Sequence, residues 1–504
     1  MLFNSNAFLF VFLPIVVIIY WLVVRRSIPV AVGFLALASY GFLVYGEPTY
    51  PWLLAASILF NYICGLGIRR TQDPYARGLL MLGVVGDLLV LAVFKYANFF
   101  VGQVAMLFRS PIHPSIVLPL GISFYTFTQI AYLVDTYQTR NSESHLVRYF
   151  LFISYFPHLI AGPIIHHKEM MPQFLRPRLR IPQLSIYAGL CLFAIGLAKK
   201  VLIADPCGEV ATSIFSPAAH GVRVALFDAW MAALTYTVQI YFDFSGYSDM
   251  ALGISLMLGI RLPINFNSPY KSRNIIEFWR RWHISLSRFL RDYVYIALGG
   301  NRKGRARRYV NLLLTMVIGG IWHGAGWTFL MWGTLHGLAL LLVQLWRDQV
   351  KNCLMVVPAS VGRAATFLFV LFAWVPFRSP DFATMGNIWG GMVGAHGFSV
   401  PDVAAVHGIL AKLHLPIEPA FFTVHQIPIL LIGLVVAWSA PNSQQIMRKF
   451  RVGLDSPGYR ASPPARSGAF AAGVNWKTAF LAGTLLAFAA RCIGSYSEFI
   501  YFHF

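Results

Sequence analysis

Apolar stretches long enough to cross a lipid bilayer recur along this chain, most of them closed by a turn or a basic cluster. A hydrocarbon core about 30 Å thick takes roughly 20 residues of helix, and backbone amides inside it find no water. A chain patterned this way must fold as helices that satisfy their own hydrogen bonds. Only 12% of the 504 residues are charged and 57% are hydrophobic, so a set of soluble domains is excluded. An all-α polytopic membrane protein is expected. The excess of 40 Lys and Arg over 19 acids lies in short clusters between apolar runs. Positive-inside topology accounts for them, and nucleic acid is set aside as a partner. Cys64, Cys191, Cys207, Cys353 and Cys492 form no C-x-x-C pair, which argues against disulfide frameworks and thiolate metal sites.

The first span covers about 8–24 and is followed by Arg25 and Arg26, with no basic residue before it. This places the N-terminus outside and makes the run a retained anchor. Spans at about 30–45, 52–68 and 79–94 alternate consistently. The next, at 118–137, carries Ser123, Thr126, Thr128, Gln129 and Asp135, so it should face protein or water rather than lipid. Pro157, Gly162 and Pro163 break YFLFISYFPHLIAGPIIHHKEMMPQF, which reads as a re-entrant segment opening into Lys168, Arg176, Arg178 and Arg180. Further spans at about 186–202, 226–242, 310–321, 329–345, 365–377, 427–438 and 479–493 bring the expectation to about 10–12 crossings, with the C-terminus also outside. Asp243 and Asp249 lie inside apolar sequence, where a structural or cavity-lining role is favoured over acid–base work. No internal repeat supports a common transporter architecture.

The densest charge lies between Arg261 and Val310, where 12 Lys and Arg face only Glu277 and Asp292. Residues 276–294 fit one amphipathic helix, with Ile276, Trp279, His283, Leu286, Leu290 and Tyr293 on one side. Arg280, Arg281, Arg288 and Arg291 fall opposite, toward lipid phosphates or an anionic ligand. Alone, His283 reads as a packed core histidine. His323, in GGIWHGAGW, lies deep in an apolar run and fits either function or a buried hydrogen bond. His336 follows in WGTLHG. There is no zinc-type histidine spacing and no G-x-S-x-G elbow. What remains is a histidine acting as general base for a hydroxyl that attacks an activated acyl group.

Several motifs, in order from the start to about residue 340, resemble the membrane-bound O-acyltransferase superfamily. They include FNSNAFLFVFLP, LPLGISFYTFTQIAYLVD, ISYFPHLIAGPI, QIYFDFSGYSDMALG, the FNSPYKSRN–NRKG tract and GGIWHGAGWTFLMWGTLHG. The likeness is to the bacterial branch containing alginate O-acetyltransferases and teichoic-acid D-alanyl transfer proteins. It implies one integral-membrane domain over 1–504, with N-terminal helices (1–260), a catalytic core (261–345) and C-terminal helices (346–504) around a central tunnel. It further implies His323 as the catalytic base, His283 as its second polar position, and Arg280, Arg281, Arg288 and Arg291 around an anionic donor. The implied donor is acetyl-CoA or an acyl-carrier thioester, with no bound cofactor or metal. The implied partner is a periplasmic acetyltransferase or polysaccharide-modifying protein at the bacterial inner membrane. The ending Phe499, Tyr501, Phe504 is similar to that of a small partner peptide in D-alanylation systems. Tyr501 is thus either a first acyl acceptor or an interfacial aromatic anchor. Alternatives to acetyl transfer are D-alanyl transfer from a carrier protein and, in another class, a polysaccharide transporter or flippase.

Overall fold

The computed structural model describes residues 2–108, 115–175, 182–349, 357–401, 417–454, 472–494 and 499–500. Arg176, Arg178, Arg180, Cys353, Tyr501 and Phe504 lie outside these. The chain divides into two compact units and passes between them inside the helices Gln183–Ala219 and Leu226–Met257.

The first unit takes in residues 1–197, 247–265 and 443–502. Its N-terminal helices are Phe8–Val24, Ile28–Gly46, Pro51–Arg70 and Tyr75–Phe108; the first three match the expected spans to within a few residues, and the fourth runs well past the expected end near Phe94. Two of them start at proline in the first turn, where a missing N–H costs nothing. The polar helix Ile122–Thr139 is buried along most of its length, as its composition requires. Asn61 Nδ2 donates to Asp87 Oδ1 at 2.7 Å and to Gln129 Oε1 at 3.2 Å, and Ser57 donates to the same Gln129 oxygen at 2.7 Å. The interrupted segment is a short helix, Leu146–Ser154, then a turn and irregular backbone before His167–Leu175. Every residue from 151 to 166 is buried. Its non-helical backbone is enclosed by protein, one of the settings in which such backbone is tolerated at membrane depth. Asp249, in this unit, accepts a hydrogen bond from Ser443 at 2.9 Å.

The second unit comprises residues 198–246, 266–442 and 503–504. Here the helix that was expected to stop near Leu202 continues through a wide turn at Lys199–Ala204 to Ala219. Within that turn lies Lys200, whose ammonium is buried and lies 2.7 Å from both Asp205 and Asp243. The carboxylate expected to be structural thus has its cation. The hairpin Gly304–His323 and Trp327–Gln349 follows, then Ala359–Arg378 and an unexpected helix, Phe382–Met392. Asp381 caps this last helix by accepting from Thr384 N at 2.7 Å. One small addition to the helical architecture is the parallel pairing of Phe398–Val400 with Ile417–Pro419.

Among the described residues, six helices are long and apolar enough to cross a membrane, and two shorter apolar ones accompany them. The larger number expected from sequence includes helices with substantial polar content. Ile122–Thr139 carries its buried polar face, Leu226–Met257 holds Asp228, Asp243 and Asp249, and Gly304–His323 opens with three arginines.

Breaking the Lys200 cluster should be costly. Lys200→Met leaves buried carboxylate without its cation, and roughly 3–5 kcal/mol of stability is expected to go. Thermal unfolding in detergent should show this, with partial recovery in Lys200→Met/Asp243→Asn. A single mutant as stable as wild type would show the pair to be dispensable.

Candidate active site

The tract read as one amphipathic helix is not one. Ile275–Trp279 forms a short helix capped by Asn274, whose side chain accepts from Glu277 N at 2.9 Å. The chain then leaves helical geometry and resumes at Ile284–Phe289, followed by a wide turn at Leu290–Tyr295. The physical cause is visible at Arg281. In a continuous helix its carbonyl would accept from the amide four residues on, but it accepts instead from Asn267 N at 2.9 Å. His283 completes the break in a left-handed conformation (φ 42°, ψ 57°), which costs a non-glycine residue about 1 kcal/mol. It is therefore not mid-stripe with Trp279 and Leu286 but at the head of a new helix, fully buried.

This break points His283 at the end of the Gly304–His323 helix. The ring centroids of His283 and His323 are 6.4 Å apart, and Phe244 stands edge-on to His283 at 4.7 Å. His323 is 3% exposed and walled by Trp322 (4.9 Å), Trp332 (5.0 Å) and Phe377 (5.2 Å). Glycine makes that enclosure possible. A Cβ on Gly320 would lie 2.5 Å from the Phe329 carbonyl oxygen, and one on Gly333 would lie 2.5 Å from that of Met316. The two helices of the hairpin thus touch backbone to backbone, as GGIWHGAGW suggested. His336, also fully buried, accepts at Nδ1 from Trp279 Nε1 at 3.3 Å.

The arginines divide. Arg280 and Arg281 line a cavity of about 540 Å³ together with Lys271, Arg273, Arg347 and Arg363. Among the described residues Glu277 is the one acid in that lining, and it is held by Arg281 at 2.6 Å and by the Arg273 amide at 2.8 Å. Burial, then the guanidinium groups of Arg281 and Arg363, push the Lys271 ammonium below its usual pKa. A bound anion would relieve that repulsion. Arg288 and Arg291 are not in this lining. Arg291 pairs with Asp292 at 2.7 Å and borders a smaller cavity of about 330 Å³, and Arg288 reaches Asp292 at 3.8 Å. Lys271 and Arg273 could have been found from their place in the same basic tract. Arg347 and Arg363 carry no local signal, since they come from the ends of two later helices. Tyr501, the proposed acceptor, lies outside the described residues. Among the described residues no cluster of three or more His, Cys, Asp or Glu could hold a metal ion.

Residues 73–378 match the profile of the membrane-bound O-acyltransferase family. The chain is 37% identical to the probable alginate O-acetylase AlgI of Pseudomonas aeruginosa over the full length of both proteins. It is 42% identical to the peptidoglycan O-acetyltransferase of Helicobacter pylori, across 79% of this chain and 81% of that protein. The teichoic acid D-alanyltransferase of Streptococcus thermophilus is 28% identical, across 54% of this chain and 69% of its own. With apolar helices long enough to span a bilayer and a family match over more than half its length, the chain belongs to the membrane-bound O-acyltransferase family and is a membrane acyltransferase.

Proposed function

We propose that the protein takes an acetyl group from acetyl-CoA on the cytoplasmic side of a bacterial inner membrane and passes it across for O-acetylation of an extracytoplasmic polysaccharide such as alginate. The observation that carries this reading is the pairing, in one unit, of two facing buried histidines with a cavity lined by six cations. In the proposed step, His323 accepts the proton of the acceptor hydroxyl while its oxygen attacks the thioester carbonyl. The new C–O bond forms, the C–S bond breaks, and the thiolate leaves with the proton returned by His323. His283 sits close enough to orient the base or the acceptor. Arg280, Arg281, Arg363 and their neighbours hold the donor's phosphates by charge-assisted hydrogen bonds. On this reading both termini lie on the periplasmic side, and a periplasmic acetyltransferase or another polysaccharide-modifying partner completes the transfer.

Relatives at 37–42% identity are named O-acetylases or O-acetyltransferases, which favours acetyl over D-alanyl transfer from a carrier protein. In a deletion strain complemented with His323→Ala, polysaccharide acetyl content should fall roughly 10²–10⁴-fold, the contribution of one well-placed base. Retention of a large share of acetylation would favour the transporter or flippase reading instead. Replacing Arg280 or Arg363 with Gln should raise KM for acetyl-CoA by about tenfold at low salt and leave kcat within about twofold. Added salt should shrink the difference. A loss confined to kcat would remove the cavity from donor binding. Finally, Tyr501 is proposed as the first acyl acceptor. Mass spectrometry of the C-terminal peptide under donor-loaded conditions should show acyl-Tyr501, and its absence together with full activity in Tyr501→Phe would return Tyr501 to the role of an aromatic anchor.

A further inference from the structure

His336 is shut away from solvent, and its ring is set among Trp332, Trp279 and Phe369 at centroid distances of 4.8, 5.3 and 5.3 Å. Because Nδ1 accepts from the Trp279 indole, the neutral ring carries its proton on Nε2. That nitrogen has no hydrogen-bond partner among the described residues. A buried N–H left unmade costs about 1–3 kcal/mol, and a phenylalanine here would avoid the cost. The position therefore calls for an acceptor that the described residues do not supply.

The surroundings indicate what that acceptor belongs to. On the same helix, Ala339, Val343 and Trp346 fall three, seven and ten residues after His336 and line an apolar groove of about 850 Å³. The groove also includes Phe369, whose ring lies against His336, and Arg273 and Arg347, which border the six-cation cavity as well. In the other direction, Trp332 touches both His336 and, at 5.0 Å, His323. From Trp332 to Trp346 this stripe covers about 21 Å of one helix at 1.5 Å per residue. It offers cations at one end, then a largely apolar run flanked by the N–H donors His336 Nε2 and Trp332 Nε1, and a base at the other end. A ligand complementary to it has phosphates, then a flexible arm bearing amide carbonyls, then a thioester.

We propose that His336 is a binding residue that donates its Nε2–H to an amide carbonyl of the donor's pantetheine arm, holding that arm on the path to His323. This rests on the acetyl-CoA reading given above. The test uses His336→Phe, which keeps the ring size and removes the donor, and His336→Gln, which restores an N–H. CoA release from acetyl-CoA is measured in inverted membrane vesicles, and binding of acetonyl-CoA, a non-transferable thioether analogue, is measured on the purified protein in detergent. His336→Phe should raise KM and Kd by about tenfold with kcat within about threefold, the scale of one lost hydrogen bond. His336→Gln should regain most of the affinity. Unchanged affinity in the Phe variant, a loss of kcat at constant KM, or a Gln variant that binds no better than Phe would each overturn the proposal. Should the wild type itself neither bind acetonyl-CoA nor release CoA from acetyl-CoA, the donor reading fails and this inference fails with it.

Discussion

Polar groups withdrawn from water must find their partners inside the protein, and most of what is distinctive here follows from that requirement. Asn61, Asp87 and Gln129 sit within helices that would otherwise read as plain membrane spans, and Asn61 hydrogen-bonds to both of the others. Lys200 sits between Asp205 and Asp243 for the same reason. The buried irregular stretch around Pro157 and Pro163 persists because protein encloses it on every side. Such partnerships add little net stability compared with apolar packing, but breaking one is expensive, so they fix which helices meet.

The same requirement shapes the active site. Asn267 captures the Arg281 carbonyl, the helix ends, and His283 turns over into a left-handed conformation facing His323. Close backbone contact between Gly320 and Gly333 then lets Trp332 and Phe377 close around His323 without an intervening side chain. Imidazole in such an aromatic enclosure is kept from bulk water, while the cations gather in a cavity whose lining does not include His323. That separation suits chemistry on a charged donor whose reactive end is uncharged.

Much of the fold was legible because membrane spans are written in composition. The runs that became Ile28–Gly46, Pro51–Arg70 and Trp327–Gln349 needed only length and apolarity to be read. The polar helix at 122–139 and the interrupted segment after Leu146 were also legible, since side chains or prolines that oppose lipid exposure leave few alternatives. At the site, WHGAGW announced close helix contact and singled out His323. The reading failed at residues 276–294, where helical periodicity was satisfied by a segment that is not one helix. A face inferred from that helix grouped Arg288 and Arg291 with Arg280 and Arg281, whereas only the latter two line the basic cavity. Phe382–Met392 went unseen, although Asp381 stands where an N-cap belongs.

The amino-acid sequence by itself determined that the chain is a polytopic helical membrane protein, which family it belongs to, and that His323 occupies a glycine-flanked, apolar setting. Each of these depends on neighbours within a turn or two or on a whole stretch of composition. Tertiary structure alone decided the partner of Asp243, the break at His283, the recruitment of Arg347 and Arg363 beside Arg280, and the hydrogen bond from Trp279 to His336. These depend on groups brought together from 43 or more residues apart (Lys200 and Asp243; Trp279 and His336, 57) or on one long-range hydrogen bond displacing a local one. Local periodicity carries no term for such competition, so only the packed chain resolves it.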